Sequence, residues 1–181
     1  MPTPVTYYLA ATDSDLTSAA QLNKKMLKTS PTTSGTVTLT GITAAEAAYF
    51  FSEPKTPGSA GNSGALSLKV NIKANTGSGG RNIRIFPTTR RYNSSGTPQG
   101  TSKDFSPITI GTATATHTFT MASNTHFGTW HVGDRLGIGL VATNLGTGTA
   151  TIKYGVGSTN DKVDTTFVEN TGAFMFMFME K

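Results

Sequence analysis

A two-residue hydrophobic period recurs along this chain in short runs, each broken off by turn residues. Residues 65–73, ALSLKVNIK, set Leu66, Leu68, Val70 and Ile72 on one side and Ser67, Lys69, Asn71 and Lys73 on the other. Successive side chains of a strand point to opposite faces, so the pattern writes a strand with one dry and one wet face. Residues 112–121 repeat it, with Ala113, Ala115, His117, Phe119 and Met121 facing one way and five Thr the other. Ile83 and Ile85, then Leu136, Ile138 and Leu140, then Ile152, Tyr154 and Val156 mark further strands, as do Val37 with Leu39 and the run from Ala47 to Phe51. Between them lie EPKTPGSAGNSG (53–64), ANTGSGG (74–80), NSSGTPQG (93–100), NLGTG (144–148) and GSTND (157–161), which are loops by composition.

No helical period of comparable strength competes. The 33 Thr among 181 residues favour extended backbone, because a β-branched side chain restricts χ1 and fits a pleated surface. Eight to ten short strands without a βαβ rhythm predict an all-β fold in one domain over 1–181: a β-sandwich, jelly-roll-like, with an immunoglobulin-like sandwich second. At most one short N-terminal helix is expected. Asp13, Ser14 and Asp15 could cap a helix to about residue 28, with Leu16, Ala19, Ala20, Met26 and Leu27 as its weak apolar stripe. The rival for residues 1–35 is an extended arm across the sandwich.

Two segments stand out from this grammar. The C-terminal run Phe174, Met175, Phe176, Met177, Phe178, Met179 is apolar on both faces. Such a strand is either sandwiched within the chain or shared with another copy, and the second reading makes these six residues an oligomer interface. The other segment holds four of the five arginines, Arg81, Arg84, Arg90 and Arg91. Pro87 within it cannot donate a ladder hydrogen bond, which predicts an edge strand or bulge. Arg84 and Arg90 share a face there and are the expected contacts to an acidic protein surface, since guanidinium offers a planar fork to carboxylates. Nucleic acid is the weaker partner: net charge is only +5, and Phe86 and Tyr92 are too few for a stacking platform.

Chemical signatures are sparse. The chain has no Cys, so no disulfide or thiol nucleophile. Three His can hold Zn, but His117 sits mid-strand beside Phe119 and His126 and His131 lie in a loop around Trp130, where packing or surface roles are the expectation; no nucleophile elbow, P-loop or EF-hand spacing occurs. Carboxylates number ten, a small supply for a glycosidase pair. No cofactor or metal is called for, and the expectation is that the chain is not an enzyme. Residues 1–11 lack the charged start and apolar stretch of a signal peptide, and no run is long enough for a membrane-spanning helix.

The opening YYLAATDSDL, the stretch Glu53 to Gly61 with the strand that follows it, and Gly128-Thr129-Trp130-His131-Val132-Gly133-Asp134-Arg135-Leu136 resemble β-sandwich structural proteins of tailed double-stranded DNA phages. They look most like head-decoration, or capsid-cementing, proteins. The resemblance implies a virion location, the major capsid protein or another virion protein as partner, and a homo-oligomer, a trimer if it sits at capsid three-fold positions. Asp134 would bond its own turn or pair with another element, and Trp130 would plug one end of the sandwich. The alternative is a carbohydrate- or receptor-binding jelly roll of a tail or fibre, with Tyr7, Tyr8, Tyr92 and Trp130 as candidate stacking residues.

Overall fold

The computed structural model describes residues 4–18, 20–55, 66–76, 82–124 and 127–168. Twelve strands follow one another: β1 (Pro4–Asp13), β2 (Leu22–Leu27), β3 (Gly35–Ile42), β4 (Ala45–Ser52), β5 (Leu66–Thr76), β6 (Ile83–Tyr92), β7 (Pro98–Asp104), β8 (Ile108–Ile110), β9 (Ala115–Asn124), β10 (Arg135–Asn144), β11 (Ala150–Val156) and β12 (Lys162–Val168). One continuous hydrogen-bonded sheet runs β3-β11-β5-β12-β1-β2-β4-β10-β6-β7, with β9 added to β5 and β8 to β6. Strands β2 and β4 run parallel. No helix long and apolar enough to cross a membrane occurs among the described residues.

Strand twist accumulates across so many strands, and the sheet folds back to bury one face against itself. Val70, Ile72, Ile152, Tyr154 and Val163 from β5, β11 and β12 share one apolar cluster with Phe50, Ile83, Ile138 and Leu140 from β4, β6 and β10. The result is the all-β sandwich that the alternation predicts. Strand β1 is its seam: Pro4 to Tyr8 pair with β12, and Tyr8 to Asp13 with β2, with a register shift in each ladder. A bulged strand bends more sharply, which lets β1 pass from one layer to the other.

Two expectations are corrected here. The segment 13–28 is extended, not helical: Asp13 ends β1, a loop follows, and β2 carries Met26 into the core. Tertiary bonds outcompete the capping signal. Asp13 pairs with Lys24, Asp15 is taken by Arg135, and β2 is pinned along β4 from Leu22↔Ala48 to Met26↔Ser52. Nor is β6 an edge. It pairs with β10 on one side and with β8 and then β7 on the other. Pro87 is tolerated because it falls between the stretches paired to β8 and to β7, where its carbonyl accepts the Phe105 N–H at 2.9 Å. A residue's N–H and C=O point the same way in an antiparallel ladder, so the missing donor faces a break in the pairing. The segment Phe174 to Met179 lies outside the described residues, as do Arg81 and His126.

Candidate functional site

The layer built on β4, β10 and β6 has an unusual outer face. Leu136, Ile138 and Leu140 of β10 point into the core, so Gly137, Gly139 and Val141 point out. A Cβ on Gly139 would stand 2.7 Å from Tyr49 Cζ and from Thr88 Cγ2, and one on Gly137 would collide with the Tyr92 ring. The two glycines are therefore a bed on which flanking rings lie. Tyr49 stacks on Phe51 with centroids 5.9 Å apart, and Tyr92 meets both edge-on at 6.3 and 5.0 Å. Leu16, from the loop after β1, completes this second, external apolar cluster. Burial raises the Tyr92 phenol well above its ordinary range, with Tyr49 beside it adding to the effect.

Beside the cluster is a groove of about 520 Å³. Strand β4 supplies Ala45, Glu46, Ala47 and Tyr49; the segment after β1 supplies Thr17, Ser18 and Ala20; the β6–β7 turn supplies Gly96 and the start of β7 Pro98. Both loops are tied down. Asn23 Oδ1 accepts the Ser18 N–H at 2.9 Å, and Arg135 holds Asp15 through two nitrogens at 2.9 and 2.5 Å. That bond holds the Asp15 carboxyl below its ordinary range. Across the groove, Asn93 Oδ1 accepts the Ser95 and Thr97 N–H groups at 3.1 and 2.8 Å. The Glu46 side chain has no hydrogen-bond or ion-pair partner among the described residues; its register partner on β10 is the buried Ala142, so by alternation it lies on the face of β4 opposite Tyr49.

The expected contact residues sit on the same outer face but differ in freedom. Arg84 is exposed. Arg90 is half-buried and donates to the Gly100 carbonyl at 2.7 Å. Arg91 turns inward to Asp134 at 2.6 Å and to the Phe127 carbonyl at 2.8 Å. Asp134 also accepts the His131 N–H at 2.7 Å, so it serves its own turn and a distant strand together. The opposite layer presents Lys69, Lys73 and Lys153 outward, all without an ion pair among the described residues, while Lys162 pairs with Asp164 at 3.1 Å.

Sequence reasoning missed Tyr49 and the groove. The signal was present as Gly137-x-Gly139 within a strand, since glycine inside a strand marks a close approach. Three of the four aromatics singled out for stacking are buried: Tyr7, Tyr92 and Trp130 are 3%, 5% and 5% exposed. Trp130 packs against Phe127 and Phe167, at 5.6 and 5.3 Å, which closes one end of the sandwich. Among the described residues no three His, Asp or Glu gather at one point where a metal could sit.

No family model and no curated protein matches the chain. Among solved structures, a CocE/NonD family hydrolase from Staphylococcus aureus aligns over 92% of this chain and 36% of its own, with TM-score 0.58 and 8% identity. An alpha-amino acid ester hydrolase aligns over 92% and 36%, with TM-score 0.56 and 12% identity. The chain thus spans about a third of these proteins, and the likeness is one of fold. A structure of infectious bursal disease virus also aligns, over 94% and 42% at 11% identity, but its TM-score of 0.33 makes that likeness weak. The hydrolase matches correct the expectation that the chain is not an enzyme. This architecture is built into hydrolase chains, so missing sequence signatures do not exclude one.

Proposed function

We propose that the chain is a structural β-sandwich of a virion that docks onto a neighbouring protein through positive charge on its outer faces. The observation that carries this reading is the disposition of charge. Arg91 is spent inside on Asp134 and Arg135 is neutralised by Asp15 of the loop after β1, whereas Arg84, Lys69, Lys73 and Lys153 stand on outer faces with no carboxylate partner among the described residues. Unpaired cations on a rigid sheet suit an acidic surface, because their charge is not already neutralised within the fold. The phage resemblance supplies the setting: the partner is the major capsid protein or another virion protein. Arg84 is the primary contact, and Arg90 joins it once released from Gly100. The Phe174–Met179 segment is the surface through which copies associate, a trimer being the expected assembly.

The test is to purify particles of the virus that encodes the chain, quantify the protein by mass spectrometry, and measure rebinding to particles stripped of it. Stoichiometric copies per particle, with Arg84→Glu weakening rebinding more at low salt than at high salt, support the reading. Absence from purified particles, or rebinding indifferent to Arg84→Glu and to salt, overturns it.

A further inference from the structure

The edge of a sheet is a row of unpaired N–H and C=O groups, and folds block the edges they leave open. Among the described residues β3, β7, β8 and β9 each pair on one side only. Three of these edges are blocked. Gln21 lays its side-chain amide along β3: Nε2 donates to the Thr40 carbonyl and Oε1 accepts the Thr40 N–H, both at 2.8 Å, as a neighbouring strand would. Strand β7 carries Pro98, Lys103 and Asp104, and β8 is only three residues long. Strand β9 has no such protection. Its ten residues, ATHTFTMASN, include no Asp, Glu, Lys, Arg, Pro or Gly, and its ladder with β5 is regular from Leu68↔Met121 to Ala74↔Ala115. We propose that the open edge of β9 pairs antiparallel with β9 of a second copy of this chain, which joins the two sheets across a two-fold axis.

Self-complementarity selects the occupant. A two-fold contact sets a strand against its own reverse, so a charge near the axis meets its like. Strand β9 brings none. Thr116, Thr118 and Thr120 stand exposed on its outer face. With Thr118 opposite itself, Thr116 faces Thr120, which gives three rungs of threonine on threonine, a favourable cross-strand pair. No other register within the strand gives as many. The same register sets His117 against Phe119, so the histidine does not meet its own copy. Lys69 and Lys73 lie one strand back on β5, level with Thr120 and Thr116. Across the axis the two β5 strands are three strand spacings apart, roughly 14 Å. That exceeds the screening length of physiological salt, about 8 Å, so the lysines do not oppose the pairing. A strand of another protein would gain the backbone bonds too, but the threonine match belongs to β9 with itself.

The chain has no cysteine, so a single introduced one reports its own neighbour. Directly opposed residues of an antiparallel pair have Cα atoms roughly 4.5–5.5 Å apart, within the span of a disulfide. The experiment is mild oxidation of the full chain carrying Thr118→Cys, read on a non-reducing gel, with Thr36→Cys on the blocked β3 edge as the control for chance collision. The exposed positions let each variant keep the wild-type circular dichroism. The expected result is a covalent dimer from Thr118→Cys and little from Thr36→Cys. Thr116→Cys mixed with Thr120→Cys should cross-link to each other, and neither should cross-link well alone. That pattern reports register at β9, and copies gathered through Phe174–Met179 alone would not reproduce it. Thr118→Cys no better cross-linked than Thr36→Cys overturns the proposal. So does a mixture of Thr116→Cys and Thr120→Cys that yields no more dimer than either variant alone.

Discussion

Asp134→Ala removes one partner of an ion pair that is almost wholly inside the protein. The Asp134 side chain is 4% exposed and that of Arg91 11%. Truncating one member of such a pair costs about 3–5 kcal/mol, because the surviving charge is left desolvated and unpaired. Arg91 keeps its bond to the Phe127 carbonyl and some contact with water, which places the loss near the lower end, about 3 kcal/mol. For a chain of this length each kcal/mol moves Tm by about 2–4 °C, so the variant should melt about 6–12 °C below wild type. The assay is a double-mutant cycle by urea unfolding, with Arg91→Met as the second change. Met occupies the stem of the arginine without its charge, so the double variant should recover more than about 1.5 kcal/mol relative to the sum of the singles, within the range measured for contacting residues. Additivity within about 0.5 kcal/mol would mean that the pair contributes geometry only, and the reasoning fails.

Gly139→Ala should destabilise by about 1–3 kcal/mol through overpacking against Tyr49 and Thr88, measurable as a lower urea midpoint; an unchanged midpoint would show that the rings move aside freely. Tyr154→Phe should be neutral or stabilising by up to about 1 kcal/mol. The Tyr154 hydroxyl is buried with no hydrogen-bond partner among the described residues, and burial raises its phenol far above the ordinary range, so its removal relieves a desolvated group; a loss above about 1 kcal/mol in urea would contradict this. His117 is held below its ordinary value mainly by burial. The unfolded chain therefore takes up a proton first as pH falls through the usual histidine range near 6.5, and stability should decline there. His117→Gln should flatten that decline in melts from pH 7.5 to 5, and a variant with the wild-type slope would locate the effect elsewhere.

The strands with one wet face were legible from local order. In β5, β6, β10 and β11 the residues assigned inward by alternation, such as Val70, Ile85, Ile138 and Tyr154, are buried, because a period of two leaves a strand no other way to hide them. Strands that pack little apolar surface were not legible. Strand β7, PQGTSKD, has no buried residue and exists because β6 offers it a ladder. Strand β2 had a plausible helical reading until β4 was beside it, since Leu22 and Met26 suit either period.

For the candidate site, the residue types were readable in the chain and their roles were not. Arg84 and Arg90 lie six positions apart, on one face by alternation, yet only the Gly100 carbonyl decides that one is exposed and the other engaged. Tyr49 and Gly139 are ninety residues apart and carry no sign of each other in sequence. They meet because β10 pairs with β4 in the register Gly139↔Tyr49, and a sheet register is selected by the core face. Burying Leu140 and Phe50 on one side places the glycine beneath the tyrosine on the other, and the groove forms as a consequence of that choice.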